Sequence, residues 1–170
     1  MAARSQRAAR IGAVGLGHMR MDDAAGVLAR ADFFDICDDE QLRMLGFAGD
    51  RKHFEADAVI YKAGDVPTGA FVLIEGTVKA KHEGAEAGKP YALSEPGSVI
   101  SPTSLILDKP RSVTFTAVTD CELLFVPRTA FLKLARQSPD LAARAAQRIE
   151  QELGRYMHAL EPLKGKMKGG

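Results

Sequence analysis

Between Ile100 and Thr114 the chain gathers side chains able to hold an anion. Ser101-Pro102-Thr103-Ser104 reads as the start of a short helix, with Ser101 as its cap and Pro102 in the first position, where a missing N–H costs little. The amides of Thr103 and Ser104 then have no helical acceptor, and free amides of this kind attract phosphate. Thr103, Ser104 and Ser112 add hydroxyl donors, and Arg111 adds a guanidinium that can grip a phosphate through paired bonds. A plainer account of the same residues has Arg111 paired with Asp108 or Glu95 at the surface and the hydroxyls simply solvated.

Other chemistry finds little support. His18, His53, His82 and His158 are scattered and unpaired, which disfavours a metal site. There is no paired carboxylate or nucleophile–base constellation, so the chain is expected not to be an enzyme and to need no cofactor. The glycines of Gly12-Ala-Val-Gly-Leu-Gly17 follow no strand and open no βαβ unit, so a dinucleotide loop is not expected there. Cys37 and Cys121 are far apart and are expected to be buried or partly buried thiols of a reducing compartment.

The totals narrow the partners. The 170 residues suit one domain with appendages. Lys and Arg number 23 against 22 Asp and Glu, so no basic excess points to DNA or to an anionic membrane. Aromatics are 6% and Trp is absent, which removes stacking platforms for single strands. No apolar run approaches the roughly 18 residues that span a bilayer. Residues 1–20 are rich in Ala and Arg and lack acids; the expectation is a flexible arm, or a start at Met21, in preference to an import signal.

The elements that position these residues are short. Asp22–Phe34 reads as a helix, and a second begins at Asp38, where Gln41 completes a capping box and Gly46 and Gly49 end the run. Then come β-rich runs punctuated by glycine: Ala58–Tyr61, Ala70–Ile74, Thr77–Ala80, Tyr91–Leu93, Ser112–Val118 and Glu122–Val126. In Ser112–Val118, Val113, Phe115 and Ala117 alternate with hydroxyl residues, the mark of a strand buried on one face. Pro127 opens a helix at its first position, and Ser138-Pro139-Asp140 opens the last, which carries Leu141, Ala145, Ile149, Leu153, Tyr156 and Leu160 on one stripe.

Four segments in this order resemble cyclic nucleotide-binding domains. Phe54–Asp65 resembles their first hairpin, Phe71–Val78 their next strand–turn–strand, Glu95–Ile100 the turn entering their phosphate-binding cassette, and Ser104-Leu105 with Lys109–Thr114 the rest of that cassette. The resemblance covers roughly Ala31 to Gln137. It implies a mainly β fold with flanking α-helices, a double-stranded β-helix or jelly roll, and it places Arg111 on the family's phosphate-binding arginine. Cupins, the nearest architectural rival, need a metal-holding His-x-His pair that this chain lacks. Asp57 stands where the family usually has Gly, and Asp tolerates positive φ. Ile100-Ser101-Pro102 stands where the family usually reads Phe-Gly-Glu, so the ribose-binding carboxylate is replaced by Pro102.

The implied organisation is an arm over 1–20, a β-roll with N-terminal helices over 21–137, a C-terminal helix over 138–161 and a tail over 162–170. The implied function is a cytoplasmic, non-catalytic sensor. It would bind cyclic AMP, cyclic GMP or a cyclic dinucleotide through Ser101, Thr103, Ser104, Arg111 and Ser112, with Tyr156 as a base cap. Output would pass through the C-terminal helix to a protein partner or a homodimer, without direct DNA binding or membrane contact. The alternative is a ligand-free adaptor for a protein partner.

Overall fold

The computed structural model describes residues 21–83 and 88–151. Helix α1 (Met21–Ala29) is followed by a 3-10 turn (Asp32–Ile36) and by α2 (Asp39–Ala48). The expected helix over Asp22–Phe34 is thus cut short. Ala31 is extended (φ −85°, ψ 130°), and the tighter turn behind it drops Phe33, Phe34 and Ile36 together into the core. The capping box of α2 is present: the Gln41 amide donates to the Asp38 carboxylate at 2.8 Å, and the Gln41 side chain accepts from the Asp38 amide at 2.9 Å.

Eight strands then build two four-stranded antiparallel sheets. They are β1 (Asp50–Phe54), β2 (Val59–Tyr61), β3 (Gly69–Glu75), β4 (Val78–His82), β5 (Tyr91–Leu93), β6 (Val99–Ile100), β7 (Val113–Ala117) and β8 (Cys121–Pro127). One sheet runs β1-β8-β3-β6 and the other β2-β7-β4-β5, the jelly-roll arrangement. In β7 the expected alternation holds, with Val113, Phe115 and Ala117 buried. Helix α3 (Arg128–Gln137) follows β8, and α4 is described over 139–151. Pro127 closes β8 and caps α3 instead of occupying its first position, because its carbonyl side is still extended (ψ 140°) and pairs in the sheet opposite Gly69.

Side-chain alternation on β3 and β8 divides the core in two. Ala70, Val72, Leu124 and Val126 face the helices and pack with Leu28, Phe34, Leu45, Phe131 and Leu141. Phe71, Leu73, Cys121 and Leu123 face the other sheet and pack with Val78, Ala80, Val113, Phe115 and Ala117. Both faces of these strands are therefore buried, so they read as unbroken apolar runs. β1 was not legible, because its sequence Asp-Arg-Lys-His-Phe alternates charges instead of apolar residues. It pairs with β8, and Arg51 and His53 bond the buried Glu122 carboxylate at 3.1 and 2.6 Å.

Helix α4 is seated by Ser138, whose hydroxyl accepts from the Leu141 amide at 3.3 Å, as a cap should. Its stripe Leu141, Ala145 and Ile149 is buried in the chain's own helix-side core. Arg144 and Arg148 reach across to the carbonyls of Ile36 and Asp32 at 2.9 and 2.8 Å. Leu153, Tyr156 and Leu160, like residues 1–20 and 162–170, lie outside the described residues.

Candidate anion-binding site

The chain enters the site on β6, which pairs with β3, Val99 opposite Val72 and Ile100 opposite Phe71. The turn before it is fastened by the Gly97 amide donating to the Leu73 carbonyl at 2.8 Å and by the Ser98 hydroxyl donating to the Glu95 carbonyl at 2.7 Å. Gly97 has φ +95°, and a Cβ there would stand 2.7 Å from the Arg30 carbonyl oxygen. Glycine lets this turn close against the chain just beyond α1.

After Ile100 the backbone enters the left-handed region at Ser101 (φ 60°, ψ 56°), and Pro102–Leu105 form a 3-10 turn. Pro102 takes the expected first position, but two expectations need correction. Ser101 sits at the cap position without a capping bond from its side chain. A capping hydroxyl needs an extended backbone beneath it, and a left-handed one aims it elsewhere. Its Oγ lies instead 2.5 Å from the Ser104 Oγ. The Ser104 amide is also not free: it donates to the Ser101 carbonyl at 3.0 Å, because a 3-10 turn closes one residue sooner than an α-helix. The Thr103 amide remains without an acceptor among the described residues. Ser101, Thr103 and Ser104 are all buried.

Arg111 comes in from the opposite side. Its backbone is fixed to the turn between β2 and β3: its carbonyl accepts from the Gly64 amide at 2.8 Å and its amide donates to the Asp65 carbonyl at 3.3 Å. Its Nη1 donates to the Thr103 hydroxyl at 2.7 Å. Among the described residues no carboxylate pairs with it, so the surface pairing with Asp108 or Glu95 is not formed. Its Nε is buried and has no acceptor among those residues. The structure thus brings Ser101, Thr103, Ser104 and Arg111 together. Ser112 is exposed, its carbonyl accepts from the Glu83 amide at 2.8 Å just past β4, and among the described residues no hydrogen bond joins its hydroxyl to this group. Tyr156 lies outside the described residues.

Two residues complete the site that sequence reasoning missed. The Tyr61 hydroxyl donates to the Gly69 carbonyl. Burial raises its pKa, while the guanidinium groups of Arg111 and Arg128 both act on it in the opposite sense. Arg128, the first residue of α3, donates from Nη1 to the carbonyls of Pro67, Ser104 and Leu107 at 2.8, 3.2 and 3.3 Å. A signal was present: a cation at the positive end of a helix breaks the usual charge preference and asks for a compensating acceptor.

The site therefore offers a guanidinium with no carboxylate partner among the described residues, a cluster of hydroxyls and a left-handed turn. A family model for the cyclic nucleotide-binding domain matches residues 51–138, from β1 to the start of α4. The chain belongs to the cyclic nucleotide-binding domain family. Its segment is 28% identical over 111 residues to lysophospholipase nte1 of Aspergillus niger, covering 64% of this chain and 7% of that one. The chain thus spans only a small part of the curated relatives it matches. Among solved structures it is similar to the sensor domain of the transcriptional regulator DNR from Pseudomonas aeruginosa, with a TM-score of 0.66, 19% identity and coverage of 81% of this chain and 93% of that one. It is also similar to the regulatory domain of Toxoplasma gondii PKA in a co-crystal with cAMP, with a TM-score of 0.62, 19% identity and coverage of 77% and 50%. At these identities the structural likenesses show the fold. Among the described residues no group of His, Cys, Asp and Glu could hold a metal ion, and no helix is long and apolar enough to cross a membrane.

Proposed function

We propose that this cyclic nucleotide-binding domain is a non-catalytic, cytoplasmic sensor of a nucleotide phosphate, cyclic AMP or GMP or a cyclic dinucleotide. The observation that carries the reading is the state of Arg111. Its guanidinium is held by one hydroxyl, pairs with no carboxylate among the described residues, and buries an Nε that has no acceptor there. A cation kept this way is an attractor for an anion, and a phosphate oxygen would replace the Thr103 hydroxyl at Nη1. The Thr103 amide and the Ser101 and Ser104 hydroxyls would complete the shell, with Ser112 at its edge and Tyr156 as the base cap. Pro102 provides no side-chain acceptor for a ribose hydroxyl, so the phosphate contributes more of the affinity than the sugar does. The cAMP bound to the Toxoplasma relative supports the ligand class. In this reading the helix over 138–161 relays the filled state, and residues beyond 151 contact a protein partner or a second copy, since the stripe before them is already packed.

A second reading, a ligand-free adaptor, is favoured by one observation. A groove of about 260 Å³ lies between α2 and α3, lined by Met44, Leu45, Ala48, Ala130 and Leu134 together with the polar Lys133 and Gln137. Phe47, on the same helix α2, is 78% exposed. Calorimetric titration separates the two readings. Cyclic AMP, cyclic GMP and cyclic dinucleotides are added to the wild type and to Arg111→Ala. Binding by the wild type that is lost in Arg111→Ala supports the sensor; no heat with any of them supports the adaptor.

A further inference from the structure

Arg128 stands where three parts of the chain meet. Its Nη1 donates to the Ser104 and Leu107 carbonyls, which belong to the 3-10 turn of the site and its exit, and to the Pro67 carbonyl in the loop leading into β3. Its own amide donates to the Thr68 carbonyl at 2.8 Å, so the backbone and side chain of one residue hold the same loop. No carboxylate neutralises it among the described residues, and the carbonyls take the place of one. A guanidinium is a planar, rigid donor, so the acceptors around it are fixed relative to each other as well as to the arginine.

We propose that Arg128 is a positioning residue for the anion site: it sets the 3-10 turn against α3, so that a movement at Arg111 is transmitted to the helices. The proposal rests on the reading of this site as an anion site. The path is continuous. Arg111 bonds the Thr103 hydroxyl, and the Thr103 carbonyl accepts from the amides of Ile106 and Leu107 at 3.1 and 2.8 Å. The Ser104 and Leu107 carbonyls then accept from Arg128, the first turn of α3. Leu105 gives the turn an apolar anchor in the same place, fully buried in the cluster that holds Phe131 and Leu134. An anion that takes over Nη1 of Arg111 releases Thr103, and the turn cannot shift without pulling on Arg128 or breaking its bonds.

The test is hydrogen exchange of the full chain without added ligand, comparing wild type, Arg128→Met and Arg128→Lys, followed by titration of each with cyclic AMP as probe. Arg128→Met keeps the length of the stem and removes the donors. It is expected to speed exchange at the amides of Ser104, Ile106 and Leu107 by about tenfold or more, the weight of one charge-assisted hydrogen bond. Amides of β3 such as Leu73 are expected to keep the wild-type rate. Arg128→Lys, which retains a cation with fewer fixed donors, is expected to lie between and covers the case in which Arg128→Met does not fold. Unchanged exchange in the turn, or the same acceleration throughout the roll, overturns the proposal, since the arginine would then be idle or merely stabilising. If the wild type binds cyclic AMP, the Met variant is expected to bind it more weakly although Arg111 is intact; equal affinity overturns the proposal. If the wild type does not bind it, that ligand assignment fails, and the exchange result decides Arg128 by itself.

Discussion

Arg111 and Cys37 show how the same burial serves opposite ends. At Arg111 the backbone is clamped by Gly64 and Asp65, and among the described residues the guanidinium bonds one neutral hydroxyl, which in the proposed reading leaves its charge for an anion. Replacing it by lysine keeps the charge and loses the planar fork, so Arg111→Lys should retain part of the affinity that Arg111→Ala loses. Cys37 is a free thiol whose pKa is pushed up from 9.0 to about 12, by burial first and then by the charge of Asp38, with Arg144 opposing. Only the thiolate attacks an alkylating agent. Mass spectrometry after iodoacetamide at pH 8 should find Cys37 unmodified in the folded protein and modified in urea. Rapid labelling of the folded chain would contradict the raised pKa of this half-buried thiol. The candidate residues Ser101, Thr103 and Ser104 could be named from residue type and spacing, and Arg111 from the resemblance that places it on a phosphate-binding arginine. Arg128 carried a signal as a cation at the start of a helix, but its acceptors, the carbonyls of Pro67, Ser104 and Leu107, come together only in the fold, as do the guanidiniums beside Tyr61.

Among the elements, α2 owes its start to a reciprocal pair of side-chain bonds. The box Asp38–Gln41 satisfies amides that the helix itself cannot. Asp38→Ala should lower stability by about 1 kcal/mol in chemical denaturation, with the site at Arg111 unaffected; no loss would mean that the cap is idle. Such caps, the alternation of β7 and the Ser138 start of α4 are local features, and they were legible in the sequence. β1 and β6 were not. β1 is an edge strand whose outer face carries Arg51 and His53 for the buried Glu122, so its pattern is electrostatic. β6 is two residues long and exists because β3 offers it a partner. The break between α1 and the 3-10 turn likewise follows from the core, which takes Phe33 and Phe34 side by side at 5.4 Å between ring centres.

At the scale of the molecule, two cores share the strands β3 and β8, and the site lies where the roll meets the helices. This coupling makes global stability a readout of local chemistry. Burial raises the pKa values of Cys37 and Tyr61 above their ordinary 9.0 and 10.0. The folded state then holds protons that the unfolded chain releases, so the stability these neutral groups contribute is complete below pH 9 and falls as pH rises toward 12. Denaturant midpoints taken between pH 8 and pH 11 should fall, and Cys37→Ser should reduce the part of the slope that begins near pH 9. A flat profile would contradict the raised pKa of these two half-buried groups.

Thermal unfolding of the full chain shows whether Arg111 holds a nucleotide phosphate. Wild type and Arg111→Ala are melted with cyclic AMP, cyclic GMP and cyclic dinucleotides in turn. A ligand at a hundred times its Kd adds about 2.7 kcal/mol, which raises Tm by a few degrees or more. At least one of them should raise the Tm of the wild type and leave that of Arg111→Ala in place. If none of them shifts the wild type, or if one shifts both proteins equally, Arg111 is not the anchor of a phosphate and the claim is contradicted.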